Sequence, residues 1–262
     1  MKNHDIFYKS ALYYDIAFDF KDVPGECDFI TQIYLRHNKK KPQSFLECAA
    51  GPALHTIEFA RRGLRSHAID LSQHMVRYGQ KKAQEQGVTI DYQQLDMTNF
   101  ALPQPVDTAA ILMDSTSYLL TNAAVLRHLD CVAKSLTPGG IYLLEMSHPR
   151  DVFNVGKSAG TDWEREREGI KVRTIWGKLD DPFDPTTQIT NVSVRLDYED
   201  KGEIGSISDK APQRSFSANE FDALVRASGK FKIVEIFGAM ELSVPFNNKP
   251  TAWRMIPILQ KI

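Results

Sequence analysis

Cysteine is scarce in this chain, and neither sign of charge dominates. The 262 residues hold three cysteines, and 32 Lys and Arg against 33 Asp and Glu leave a net charge of −1. Cys27, Cys48 and Cys131 are odd in number, far apart and without metal-ligand spacing. That excludes a disulfide framework and a cysteine metal centre, and points to core thiols in a reduced compartment. The balanced charge offers no basic field to recruit nucleic acid or an anionic membrane. No apolar run is long enough to span a bilayer, and the opening MKNHDIF lacks the apolar stretch of a secretory signal. Repeats and low-complexity tracts are missing too. The expectation is a cytoplasmic protein with no nucleic-acid or membrane partner.

What is there is an alternation of strand and helix signals. With 42% hydrophobic residues the chain can bury a substantial core. After an N-terminal helical region to about His37, SFLECA reads as the first strand, Leu54, Ile57, Ala60 and Leu64 recur at helical spacing, and Gly63 is placed to end that helix. SHAIDLS, TIDYQQLD and DTAAILMDS read as the next strands, with Ser72 an N-cap and Val125, Leu129, Val132 and Leu136 one helical face. TPGG stops that helix and IYLLEMS is the fifth strand. Between about Asp151 and Gln213 the rhythm changes to antiparallel strands. In VSVRLDYE, Val192, Val194, Leu196 and Tyr198 share one face, and Asp200-Lys201-Gly202 supplies a hairpin turn. The capping-box pair Ser217 and Glu220 then opens another helix, closed by Gly229, and KIVEIFGAMEL and AWRMIPILQ give two last strands. The predicted fold class is α/β, a doubly wound, mostly parallel sheet formed by residues 1–150 and 213–262, with residues 151–212 inserted as an antiparallel β subdomain that shapes an acceptor pocket.

Glycine is lacking where a nucleotide loop usually has two or three. FLECAAGPALHT runs from a strand into a helix through one glycine, Gly51. Such a turn presents unpaired backbone N–H groups and the positive end of a helix dipole, although the same turn occurs without a ligand. Two acids follow at successive strand ends. Asp70 can accept from both hydroxyls of a ribose, or can merely flank a helix. Asp96 in LDMTNF can accept from the exocyclic amine of adenine while the Met97 backbone donates, or can be a turn aspartate. Met75 can lie on the adenine face or in the core. As a strand-end side chain, Asp70 is expected to be exposed and to carry little packing.

LECAAGPA, AIDLSQHM, LDMTNF and LTPGGIYLLEM, in that order, resemble the motifs of the class I S-adenosylmethionine-dependent methyltransferases. The resemblance covers about residues 10–149 and 213–262. It implies a Rossmann-like seven-stranded sheet whose seventh strand lies antiparallel beside the fifth and sixth, and S-adenosyl-L-methionine as cofactor. It further implies that Glu47, Ala49 and Gly51 form the cofactor loop and that Asp70, Leu71 and Met75 lie in the ribose-binding segment. Asp96 and Met97 fall in the adenine-binding segment, and Tyr14 reaches the cofactor carboxylate. In relatives the acid at Glu47 orients the turn or approaches the amino group of methionine. Alanine replaces glycine at positions 49 and 53, and at the first of these, Ala49, the expectation is an alanine-compatible backbone.

Methyl transfer needs alignment and a route for the nucleophile's proton. Asp114, Ser115 and Tyr118 at the end of the fourth strand and His148 past the fifth stand where the methyl group would be. Asp114 is assigned to the cofactor and Tyr118 to the substrate. His148 is assigned to both substrate binding and catalysis, because a neutral imidazole can accept a proton near pH 7. Trp163, Trp176, Arg173 and Arg195 are candidates for the acceptor pocket or for packing and solvated charge. The acceptor expected is a small molecule. Two other readings stay open: an NAD-dependent oxidoreductase, for which the glycines of AAGPAL are too few, and a catalytically silent S-adenosylmethionine-binding protein.

Overall fold

The computed structural model describes residues 10–153 and 161–262. In chain order the elements are α1 (Ala11–Ala17), α2 (Val23–Asn38), β1 (Ser44–Cys48), α3 (Leu54–Arg61), β2 (Arg65–Asp70), α4 (Gln73–Glu85) and β3 (Asp91–Gln94). Then come β4 (Val106–Ile111), α5 (Asn122–Ser135), β5 (Leu136–Leu144), β6 (Met146–Ser147), β7 (Thr161–Arg167), β8 (Ile170–Trp176) and β9 (Phe183–Asp184). The chain ends with β10 (Ile189–Asp200), β11 (Glu203–Arg214), α6 (Ala218–Ser228), β12 (Phe231–Phe237) and β13 (Arg254–Lys261). It divides into two compact units, Asp22–Pro149 with Phe216–Ile262, and Met1–Lys21 with Arg150–Ser215.

The larger unit is an α/β sheet of order β12-β13-β5-β4-β1-β2-β3. Strands β1 to β5 are parallel, and β13 runs antiparallel between β5 and β12. Every residue of β1 and β4 is buried, as a parallel strand covered on both faces requires. Side-chain alternation splits the core accordingly. Leu46, Cys48, Ala109, Ile111, Tyr142 and Leu144 pack with α5 and α6 through Val125, Leu129, Phe221 and Leu224. Phe45, Ala110, Ile141 and Leu143 pack with α2 and α3 through Phe29, Ile30, Ile33 and Phe59. The three cysteines are free; Cys27 and Cys48 are buried and Cys131 is half-buried. TPGG belongs to β5 itself, which starts at Leu136 directly after α5. Among the described residues no helix is long and apolar enough to cross a membrane.

The smaller unit is an antiparallel sheet of order β11-β10-β8-β7, with β9 on β10. The β10–β11 hairpin turns at Lys201 and Gly202, both at positive φ, between the paired residues Asp200 and Glu203. Val172, Val192, Val194 and Leu196 bury one face against Ile16 and Ala17 of α1, and Tyr13 stacks on Tyr198 at 4.3 Å. The first helix therefore belongs with the inserted sheet, not with the α/β unit to which residues 1–150 were assigned. Its apolar face has its partners there. Trp163 donates to the Ala17 carbonyl at 2.7 Å, and it and Trp176 both meet Phe18 edge-on. Arg173 pairs with Asp162 and Arg195 with Asp197 at exposed positions, the packing and solvated-charge alternative for all four residues.

Candidate functional site

In the sheet order, β1 has β2 on one side and β4 on the other, so the winding reverses at β1. A crevice forms outside the carboxyl ends of the strands at such a point, and the residues singled out in the larger unit lie at those ends. They follow β1 (Ala49, Gly51), β2 (Asp70, Leu71), β3 (Asp96, Met97), β4 (Asp114, Tyr118) and β6 (His148).

The loop after β1 keeps a glycine-type backbone without the glycines. Ala49, Gly51 and Ala53 all have left-handed φ values, 51°, 52° and 58°. The alanine-compatible backbone expected at Ala49 is not what forms. The alternating left-handed geometry persists, and each alanine carries strain of about 1 kcal/mol that glycine would not. It is held by its neighbours: the Ala50 N–H donates to the Ile69 carbonyl at 3.0 Å and the Gly51 N–H to Asp70 Oδ2 at 2.8 Å.

Helix α3 begins after Ala53, which has no side-chain oxygen to cap it. Glu47, buried at the end of β1, does that work from outside: its Oε2 accepts the Thr56 N–H at 2.9 Å and the Thr56 hydroxyl at 2.6 Å. Glu47 therefore takes the turn-orienting arrangement. Its other oxygen lies 3.4 Å from His55 Nδ1, and His55 Nε2 is 2.7 Å from Glu26 on α2. Burial alone would lower the His55 pKa, but hydrogen bonds to the two carboxylates raise it to about 9, so the ring is an imidazolium at neutral pH. A buried Glu26–His55–Glu47 triad thus ties α2 to the loop. Sequence reading missed it, and its one local signal was a run of polar residues at positions the helical period buries.

Asp70 departs from expectation. It is half-buried, and loss of solvent raises its pKa, an effect opposed by the backbone N–H groups of Ser72, Gly51 and Leu71. Ser72 donates at 2.8 Å to Oδ1, so the side chain braces both the β1 loop and the entry to α4. Leu71 beside it is 70% exposed, whereas Met75 is fully enclosed. Of the two, Leu71 offers apolar surface to a ligand, and Met75 takes its core alternative. Asp96 is exposed and accepts from the Thr98 N–H at 2.7 Å and hydroxyl at 2.8 Å. The Met97 carbonyl accepts from Nδ1 of buried His128 at 2.8 Å, while His128 Nε2 takes the Tyr142 hydroxyl at 2.5 Å. Burial lowers the His128 pKa to about 4, so this imidazole is neutral and pins the segment after β3.

At the end of β4, Asp114 sits at φ 59° and accepts from the Ser147 N–H at 2.9 Å and hydroxyl at 2.6 Å. Burial raises its pKa, against the Arg254 charge and the Ser147 bonds. Buried Glu145 accepts the Met113 N–H at 2.9 Å and lies 3.2 Å from Arg254 Nε. Asp114, Glu145 and Arg254 so form a second ionic group, around buried Glu145, at the ends of β4 and β5 and on β13, also unread in the sequence. His148 is buried against Phe246, ring centroids 4.9 Å apart, and its Nε2 faces the Asn247 carbonyl at 3.1 Å. A carbonyl only accepts, so in this contact Nε2 is the donor. Tyr118 is half-buried in the helical turn Ser115–Tyr118. Tyr14 lies on α1, in the smaller unit, with its ring 4.6 Å from that of Phe18.

Residues 45–140 match the family described as Methyltransferase domain. A protein of Geobacillus sp. (strain WCH70) named as a methyltransferase is 24% identical over 136 residues, 52% of this chain and 55% of that one, so the chain spans about half the length of that curated relative. Among solved structures, an S-adenosylmethionine-dependent methyltransferase from Clostridium acetobutylicum superposes with TM-score 0.76 at 17% identity, over 95% of this chain and 96% of its own. CalS10, an amino pentose methyltransferase of Micromonospora echinaspora solved with its cofactor bound, gives 0.72 at 19%, over 95% and 96%. At these identities the structures establish the fold alone. Over residues 45–140 the larger unit is similar to the methyltransferase domain family, in a chain with the fold of solved S-adenosylmethionine-dependent methyltransferases.

Proposed function

We propose that this chain transfers a methyl group from S-adenosyl-L-methionine to a small-molecule acceptor, with amine-bearing carbohydrates the first class to test. The observation that carries the reading is the left-handed loop at 49, 51 and 53, clamped to Asp70 at the point where the sheet winding reverses. The residues fit the cofactor. Asp70 has two oxygens with about four lone-pair sites, of which the Gly51, Ser72 and Leu71 N–H groups take three, so a site is left for a ribose hydroxyl. Exposed Leu71 beside it offers apolar surface to a flat ring.

When bound, the cofactor supplies an electrophilic methyl group on a sulfonium. Ala49 and Gly51 line its loop, and Glu47 and His55 hold the helix start behind it. Asp70 binds the ribose, Leu71 the adenine face, and Asp96 with the Met97 N–H the adenine edge. Asp114 keeps the β4 end in place through Ser147, Tyr118 contacts the acceptor, and His148 takes the acceptor's proton. Acceptor recognition is the role proposed for the inserted sheet. The amino pentose acceptor of CalS10 motivates the substrate class, and the balanced net charge of this chain argues against a nucleic acid.

Calorimetric titration with S-adenosylhomocysteine tests the cofactor: saturable binding is expected, and a folded protein that fails to bind at millimolar ligand overturns the reading. Incubation with labelled methyl donor, a panel of amino sugars and a metabolite extract, followed by mass analysis, tests turnover. Binding without any product supports the silent-protein alternative.

A further inference from the structure

Tyr92 on β3 is buried, and its hydroxyl donates to the Gly51 carbonyl at 2.6 Å. The N–H of the same glycine donates to Asp70 at 2.8 Å. The two peptide groups on either side of the Gly51 Cα are therefore each held by a side chain, one from β3 and one from β2. Two fixed peptide planes fix the torsions between them, here the left-handed φ of 52°. The ring packs with Ala50, Ala53, Ala68 and Val76, so the hydroxyl is carried on a rigid support. Gly79 on α4 makes the room: a Cβ there would lie 2.6 Å from Tyr92 Cε1 and 3.2 Å from the Pro52 carbonyl oxygen. Because Ala49 and Ala53 are strained in the same left-handed region, the loop gains by relaxing unless something opposes it.

We infer that Tyr92 is a positioning residue for the cofactor loop, its hydroxyl acting with Asp70 to lock Gly51 in the conformation that admits the ligand. The inference rests on the methyltransferase reading above and adds a residue that no loop motif contains. Tyr92→Phe removes one oxygen and leaves the packed ring. S-adenosylhomocysteine should bind about five- to tenfold more weakly, the loss expected for one neutral hydrogen bond. Turnover at saturating cofactor should stay within about twofold, a split between KM and kcat that general destabilisation does not produce. Exchange of the Gly51 amide proton should accelerate in the ligand-free variant. Gly79→Ala, which pushes on the same ring, should weaken binding in the same direction. Wild-type affinity and unchanged Gly51 exchange in Tyr92→Phe would overturn the inference while leaving the cofactor reading intact. Failure of the wild-type chain to bind S-adenosylhomocysteine would overturn both.

Discussion

The Asp70 carboxylate accepts the Gly51 backbone N–H at 2.8 Å, so the side chain proposed to hold the ribose also builds the loop beside it. Asp70→Ala should therefore act twice. Loss of the Gly51 and Ser72 bonds to a half-buried carboxylate should lower stability by about 2–4 kcal/mol, several degrees in Tm. Affinity for S-adenosylhomocysteine should fall by roughly ten- to a hundredfold. Thermal denaturation and calorimetry on one preparation separate the effects; an unchanged Tm would remove Asp70 from the loop's construction.

Leu71 and Met75, four residues apart, should respond oppositely. Leu71 is 70% exposed, so Leu71→Ser should leave Tm unchanged and weaken S-adenosylhomocysteine binding. Met75 is fully enclosed, so Met75→Ala should cost about 2–5 kcal/mol in urea denaturation while the folded fraction keeps its affinity. The reverse pattern would exchange their roles.

Two buried histidines give pH dependences of opposite sign. The folded pKa of His55, about 9, lies above the ordinary 6.5, so its contribution to stability is full below about pH 6.5 and is lost as pH rises through 9. The folded pKa of His128, about 4, lies below it, so its contribution is full above about pH 6.5 and is lost as pH falls towards 4. Denaturation midpoints of the wild type minus His55→Gln should shrink between pH 7 and 9.5. Midpoints minus His128→Asn should shrink between pH 7 and 4.5. A flat difference in either series would remove that histidine's assigned charge state.

Ala49→Gly should raise stability, by up to about 1 kcal/mol, since relief at φ 51° outweighs the added freedom of the unfolded chain. Ala53→Gly should gain less, because the fully buried Ala53 methyl packs with Ala68, Val76 and Tyr92. Urea midpoints of the two variants test the order.

His148→Ala should lower turnover by roughly a hundredfold or more and leave cofactor affinity nearly unchanged, as loss of a general base does. Full turnover in this variant would end the assignment and leave Tyr118 or solvent as the proton route.

The strands and helices of the larger unit could be read from residue order because burial imposes a local period on the chain. SFLECA and DTAAILMDS announce two-face burial, and the helical spacing of Val125, Leu129 and Val132 announces one. The hairpin at Lys201-Gly202 was legible for the same reason, its turn chemistry lying within adjacent residues. Strand ends followed, and with them Glu47, Asp70, Asp96 and Asp114 at one edge of the sheet. The partners of these groups were not legible. Tyr92 meets Gly51 across 41 residues, His128 meets Met97 across 31 and His55 meets Glu26 across 29. No periodicity encodes such pairs; they come into register only once the parallel strands are ordered and α2, α4 and α5 are laid against them. The alanines at 49 and 53 show the same division. Residue type alone argued for an ordinary backbone, but Asp70, Tyr92 and the Ile69 carbonyl fix the loop from outside, and their bonds together outweigh the local preference of two alanines.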